Sequence, residues 1–343
     1  MNTKLIIGLL AISILLSCND DESAMLPADP QEPLIELQFT DSPIALQSTE
    51  TRFAADVPYD VFEDTQFDIF LPVSDTPTGL VIFIHGGGFT GGDKAFIYTD
   101  DFNEQVNELI NSGLAVATIN YRLIQSGDNE GVLKSLNDSR RALQYMRYIH
   151  NELNIDKDNI VLFGTSAGAS TALWLATNDD FKDLNNTDLV LRESSRVKGI
   201  ALRATQSSLD IENRWLGDVF VEFGTSSAEL REEFGVETLF NFYGVSSQEE
   251  YESSQTDAYR KQVDMLSLLS ADDPEIWVSN TGGHNNEPTT TSSFNHHPFH
   301  AREIKRFADA AGVPNVTTYG NPVLFSNADN EDFVDFLIRK INE

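Results

Sequence analysis

Cysteine is nearly absent from this chain: Cys18 is the only one in 343 residues. That excludes a disulfide framework and a zinc site built from cysteines. Basic residues are also scarce, 23 Lys and Arg against 54 Asp and Glu, for a formal net charge of −31. Such a field repels phosphate backbones, so nucleic acid is excluded as a partner class, and an anionic membrane surface is a poor ligand. The simplest reading of the charge is a solvated acidic surface. Internal repeats are missing, and the one biased stretch, Pro288 to Ser293, reads as a loop within the domain. No apolar run exceeds the twelve residues Leu5–Leu16, too short to cross a bilayer comfortably. Core-forming material is plentiful, with 41% hydrophobic residues and 22 Phe, which rules out a disordered or fibrous chain. The length suits one large α/β domain or two modest ones.

The N-terminus reads as an address. Lys4 precedes the apolar run, and small Ser17 follows it, which is the anatomy of an export signal over residues 1–17. The sequence Leu15-Leu16-Ser17-Cys18 resembles the lipobox of bacterial lipoproteins. That resemblance implies cleavage before Cys18, acylation of that residue and attachment to the cell envelope, with the outer membrane as the expected site. Asn19-Asp20-Asp21-Glu22 is similar to surface-export signals of some gram-negative lipoproteins, and such runs are also ordinary tether. Residues 18–44 are polar, carry Pro27, Pro30, Pro33 and Pro43, and are expected to be a flexible tether.

Residues 45–343 read as one domain. Phe67–Pro72 partly alternates and stops at proline, as an edge-side strand does. Short apolar runs follow at Leu80–Ile84, Leu114–Ile119, Ile160–Phe163, Val197–Leu202, Ile276–Val278 and Val316–Tyr319. Runs apolar on both faces belong to a parallel sheet covered on both sides by helices. Helical patterns lie between them: Leu136, Leu143, Met146, Ile149 and Leu153 mark one, and Ala301, Ile304, Phe307 and Ala308 another, closed by Gly312 and Pro314. Phe333, Phe336, Leu337 and Ile341 mark the last. The alternation predicts a doubly wound α/β sheet. Residues 207–272 fit no single crossover and read as a helical insertion, a lid or cap. The insertion holds nine aromatic residues, from Trp215 to Tyr259; they could line an acyl or aryl pocket, and their default use is packing that insertion onto the domain.

Two motifs carry chemistry. Ile160–Phe163 runs into Gly164-Thr165-Ser166-Ala167-Gly168 and then a helix-compatible stretch, the strand, G-x-S-x-G, helix arrangement. A serine on a sharp strand-to-helix turn has strained backbone angles, and flanking glycines let the two elements approach. Leu80–Ile84 runs into His85-Gly86-Gly87-Gly88-Phe89, where consecutive glycines let backbone N–H groups converge on one point. The amides of Gly87, Gly88 and Ala167 are therefore candidates for an oxyanion hole. With Asn120-Tyr-Arg-Leu123, these segments resemble α/β-hydrolase-fold carboxylesterases, most nearly the BD-FAE group and hormone-sensitive-lipase-like enzymes. The resemblance covers residues 55–180 well and implies an eight-stranded, mostly parallel sheet. It also implies a Ser-acid-His triad in that chain order and hydrolysis of carboxylic esters without cofactor or metal.

The pattern departs at its end. The family histidine sits after the last strand, and here no histidine follows His300; the acid expected after the seventh strand is missing too. Ser166 still needs a proton acceptor. His85 belongs to the glycine loop and holds it by a hydrogen bond, and His150 lies on a surface helix. His284, His296, His297 and His300 fall in one short span beside the seventh strand. One reading is relocation: His297 or His284 becomes the base, oriented by Glu287 or Asp210, with His297 and Glu287 the leading pair. The alternative is that Pro298 starts a helix, His300 packs on it and the cluster is polar loop. A third, metal binding by His296 and His300, lacks further ligands and has Pro298 between the pair.

Two functions follow. The first is a serine hydrolase acting on small acyl or aryl esters, or on ester decorations of glycans, through an acyl-enzyme. The second is a binding lipoprotein on the same fold that has lost its base. The address makes its own prediction: Cys18→Ala moves the protein from the membrane to the soluble fraction after cell fractionation, and membrane association that survives the change rules out the lipid anchor.

Overall fold

Strands that are apolar on both faces need cover on both sides, and the chain supplies it by alternating them with helices. The structure, a computed structural model, describes residues 34–48 and 50–343. Its strands are β1 (Phe39–Thr40), β2 (Thr51–Pro58), β3 (Gln66–Pro72), β4 (Thr78–Ile84), β5 (Ala115–Ile119), β6 (Ile155–Thr165), β7 (Gly199–Arg203), β8 (Glu275–Asn280), β9 (Asn315–Gly320) and β10 (Val323–Ser326). They form a single sheet in the order β1-β2-β3-β5-β4-β6-β7-β8-β9-β10. β5, β4, β6, β7, β8 and β9 run parallel, while β1, β2 and β3 join antiparallel on one side and β10 on the other.

The two faces have separate cores because side chains alternate along each strand. Leu80, Ile82 and Ile84 of β4 and Ile160 and Leu162 of β6 pack with the helices Val132–Tyr148, Ala167–Thr177 and Phe299–Ala311. Val81 and Phe83 of β4 and Val161 and Phe163 of β6 point the other way, onto the helices Asp100–Asn111 and Phe333–Asn342. Phe163 stacks on Phe333 with ring centroids 4.4 Å apart, which ties the last helix to the strand that leads into Ser166.

Three expectations are corrected. Ten strands replace eight, the extra two being short antiparallel additions at the edges. β3 is not an edge strand: it lies between β2 and β5, and Pro72, as its last residue, removes only a terminal ladder donor. The tether ends earlier than residue 44, because Ile44 is buried in the second core and Phe39–Thr40 pair with β2. Cys18 and the rest of residues 1–33 lie outside the described residues. Between β7 and β8, helices follow one another from Ile211–Arg214 to Met265–Leu268. Trp215, Phe220, Tyr243 and Tyr251 are buried within that insertion.

The turn after β6 is where the fold is tightest. A Cβ on Gly168 would lie 2.0 Å from the Ile84 carbonyl oxygen of β4, and one on Gly164 would lie 2.4 Å from the Gly168 carbonyl. Both obstacles are backbone, so neither can swing aside. Gly168→Ala is therefore expected to cost about 1–3 kcal/mol or more and to lower the thermal midpoint. Gly217→Ala, where nothing lies within 4 Å, is the matched control and is expected to melt close to the parent. Circular-dichroism melts compare the two.

Candidate active site

Ser166 sits between the end of β6 and the helix Ala167–Thr177 with φ 52° and ψ −119°. A non-glycine residue in that region stores about 1–3 kcal/mol of strain, held here by packing on both sides. Its own N–H donates to the Arg203 carbonyl at the end of β7, at 2.9 Å. The helix N-terminus behind it favours negative charge at the turn.

The glycine loop faces Ser166 from the end of β4. Gly87, Gly88 and Phe89 all have positive φ, 111°, 62° and 63°. A Cβ on Gly87 would meet the Gly91 carbonyl at 2.1 Å, so the loop closes on itself only because that side chain is missing. Among the hydrogen bonds of the described residues, none uses the N–H of Gly87, Gly88 or Ala167, which leaves three donors for a ligand. His85 holds the loop as expected: its Nδ1–H donates to the Gly86 carbonyl at 2.6 Å, and burial lowers its pKa, keeping it neutral. Tyr121, from the Asn120–Leu123 segment, stacks on the His85 ring at 4.3 Å and donates its hydroxyl to the His85 carbonyl at 2.8 Å. Asn120 binds both Asp93 and the Lys94 N–H, fixing the far side of the same loop. That segment thus braces the glycine loop.

The histidine that reaches Ser166 is His296. Its Nε2 lies 2.9 Å from Ser166 Oγ. His296 follows the short helix Thr291–Asn295, whose Thr290 cap and Ser293 form a capping box. On its other side the ring faces Ser292, four residues earlier and therefore on the same helix face. The Ser292 backbone accepts from the ring and raises its pKa, while Ser292 Oγ is at 3.5 Å, too far for a strong bond. Burial is the larger effect and draws the His296 pKa below the ordinary value of 6.5. Neither contact is to a carboxylate.

The other candidates are engaged elsewhere. His297 donates from Nε2 to the Asn286 carbonyl at 3.0 Å and accepts the Phe299 N–H on Nδ1 at 3.2 Å. Its ring is boxed by Phe220, Phe223 and Phe299, so the aromatic packing that buries it turns it away from Ser166. His300 is fully buried against Trp215, donates to the Phe294 carbonyl, and has its pKa pushed down to about 3 by desolvation. Pro298 does start the helix Phe299–Ala311, and His300 packs on it. His284 and Glu287 are exposed on the loop after β8. Asp210 caps the helix Ile211–Arg214 through Asn213. Glu287 and Asp210 therefore do not meet the His296 ring, and no group of three His, Cys, Asp or Glu among the described residues is arranged to hold a metal ion.

Two cavities meet at Ser166. An open cleft of about 710 Å³ is lined by His85–Gly88, Phe96, Thr165, Thr291, Ser292 and His296. A smaller one of about 190 Å³ lies on the insertion side, lined by Phe89, Leu209, Ile211, Trp215, Phe234, Leu239 and Phe242. Neither contains a charged side chain.

An imidazole can accept a proton only while neutral, so the lowered pKa sets a pH prediction. Labelling of Ser166 by a fluorophosphonate is expected to be full above that pKa and to fall as the pH drops through it, along a limb centred below pH 6.5. A limb centred above 6.5 contradicts the buried, carboxylate-free environment of His296.

Residues 67–215 match the BD-FAE family model. Over 130 residues the chain is 27% identical to kynurenine formamidase of Danio rerio, covering 38% of this chain and 40% of that protein. The chain thus spans less than half the length of that curated relative. Among solved structures, a truncated carbohydrate esterase from gut microbiota is similar with a TM-score of 0.58 at 18% identity, over 85% of this chain and 96% of that one. Esterase B of Lactobacillus rhamnosis gives 0.54 at 18% identity, over 80% and 76%. Two extra edge strands aside, the parallel sheet, the elbow after β6 and the insertion between β7 and β8 are those of the α/β-hydrolase fold, and that is the fold of this chain.

Proposed function

We propose that this protein is a serine hydrolase of carboxylic esters, carried at the cell envelope by a lipid on Cys18. The observation that carries the catalytic reading is the 2.9 Å contact between Ser166 Oγ and His296 Nε2 on a strained elbow facing three unengaged backbone donors. In this reading Ser166 attacks the ester carbonyl while His296 takes its proton. The N–H groups of Gly87, Gly88 and Ala167 receive the oxyanion, where one donor is typically worth roughly 10²–10³ in rate. His296 then returns the proton to the departing alcohol, and water cleaves the acyl-enzyme by the same route. The BD-FAE match and the esterase neighbours support this chemistry. The envelope reading rests on the Leu15–Cys18 segment alone.

The lining of the two cavities supports a division of the substrate between them. The leaving oxygen must lie within reach of His296, and only the large open cleft is lined by that ring. The alcohol therefore occupies the 710 Å³ cleft and the acyl group the 190 Å³ apolar cavity under the insertion. With no charged lining, both ends of the substrate are neutral. An apolar or aryl acyl group on a bulky uncharged alcohol, such as a sugar unit, fits that description.

With p-nitrophenyl esters of rising acyl length, Ser166→Ala is expected to remove turnover by at least about 10³-fold. Leu239→Trp, which fills the small cavity, is expected to leave the acetyl ester active and suppress longer acyl chains. Equal rates for the parent and Ser166→Ala discard the hydrolase reading; uniform loss over all chain lengths in Leu239→Trp discards the acyl assignment.

A further inference from the structure

A catalytic histidine without a carboxylate partner must be held in place by something else. The two backbone carbonyls that flank His296 are each held by a buried side-chain amide. The Asn295 carbonyl accepts from Gln206 Nε2 at 2.8 Å, and the His297 carbonyl accepts from Asn280 Nδ2 at 3.2 Å. Gln206 is 5% exposed and Asn280 1%. We propose that Gln206 and Asn280 form a carboxamide clamp that positions His296 against Ser166, taking over the alignment that an acid would supply.

Both arms of the clamp lead back to the nucleophile. Gln206 Oε1 accepts from Ser170 Oγ at 2.7 Å, and Ser170 lies one helical turn after Ser166. The Gln206 N–H in turn donates to Ser170 Oγ at 3.2 Å. Asn280, the last residue of β8, exchanges two bonds with Thr205, accepting its N–H at 3.0 Å and donating to its carbonyl at 2.9 Å. The segment leaving β7, Arg203 to Gln206, therefore holds Ser166 through the Arg203 carbonyl and His296 through both amides. Nucleophile and base share one backbone reference.

The chemistry selects a carboxamide. Gln206 has to donate to Asn295 and accept from Ser170 with one side chain, and Asn280 has to do the same for His297 and Thr205. A carboxylate keeps the acceptor and loses the donor, whereas a protonated carboxyl regains it. A misplacement of about 1 Å in a reacting pair costs on the order of 10²-fold, so losing one arm is expected to appear in kcat.

This inference rests on the hydrolase reading, and its test separates the two. Gln206→Met and Gln206→Glu are compared with the parent and Ser166→Ala on p-nitrophenyl acetate, each well below its thermal midpoint. Gln206→Met is expected to lower kcat about 10- to 100-fold with KM changed less than about threefold. Gln206→Glu is expected to show the same loss at neutral pH and to recover, as a ratio to the parent, when acid protonates the new carboxyl. Asn280→Leu is expected to lower kcat in the same way. A folded Gln206→Met with parental kcat, or a Gln206→Glu ratio that is flat with pH, overturns the clamp. So does failure of both Gln206 variants to fold, because the side chain would then be holding the domain and not the base. Parent turnover that does not depend on Ser166 removes the hydrolase reading itself, a result distinct from normal turnover in the clamp variants.

Discussion

Everything at this site depends on how closely three backbone segments approach one another. Gly86, Gly164 and Gly168 meet β4, the elbow and each other at separations that admit no Cβ. That approach lifts Ser166 above the sheet, brings the glycine loop over it and aims the helix N-terminus at the same point. It also forces Ser166 to a positive φ, and the strain is held by Phe163 and Phe333 below and the bond to Arg203 beside it. A rigid parallel sheet is the platform that can hold such a turn without relaxing it.

The electrostatics are unusual for a chain with a net charge of −31. Acidic residues abound, yet the rings of His296, His297 and His300 make their direct contacts with carbonyls, hydroxyls, backbone amides and aromatic rings. Burial lowers the pKa of all three, so each stays neutral near pH 7 and can accept as well as donate. For His296 that neutrality is what a proton acceptor needs. Among the described residues no carboxylate contacts its ring, so no such charge offsets the effect of burial. The same burial makes the fold sensitive to acid, since histidines buried neutral must gain a proton as the chain unfolds below about pH 6.5.

The insertion does more than pack. Its buried tyrosines build a small core, while Trp215, Phe234, Leu239 and Phe242 wall the smaller cavity beside Ser166. Glu233 from the same insertion accepts from Thr291 Oγ1 at 2.9 Å, at the start of the helix that ends at His296. One inserted segment thus shapes the cavity and braces the element that leads to His296.

The strand and helix alternation, the insertion, the elbow at Ser166 and the glycine loop were legible in the chain because each rests on local rules: side-chain periodicity, turn sterics and the conformational freedom of glycine. The partner of Ser166 was not. Four histidines within seventeen residues are equivalent by type and differ only in what surrounds them. The Thr290–Ser293 capping box and the i, i+4 spacing of Ser292 and His296 were a faint local sign of which one would turn toward the serine. Phe220 and Phe223 took His297, with Phe299 closing the box locally, and Trp215 took His300; apart from Phe299 these contacts reach across about eighty residues of chain. Likewise Asn280 and Gln206 are unremarkable in sequence and reach the backbone on either side of His296 only because β7 and β8 are neighbours in the sheet. Backbone geometry at a turn is decided by the residues in the turn, but which imidazole is left free is decided by packing between distant segments, and only the tertiary structure carries that.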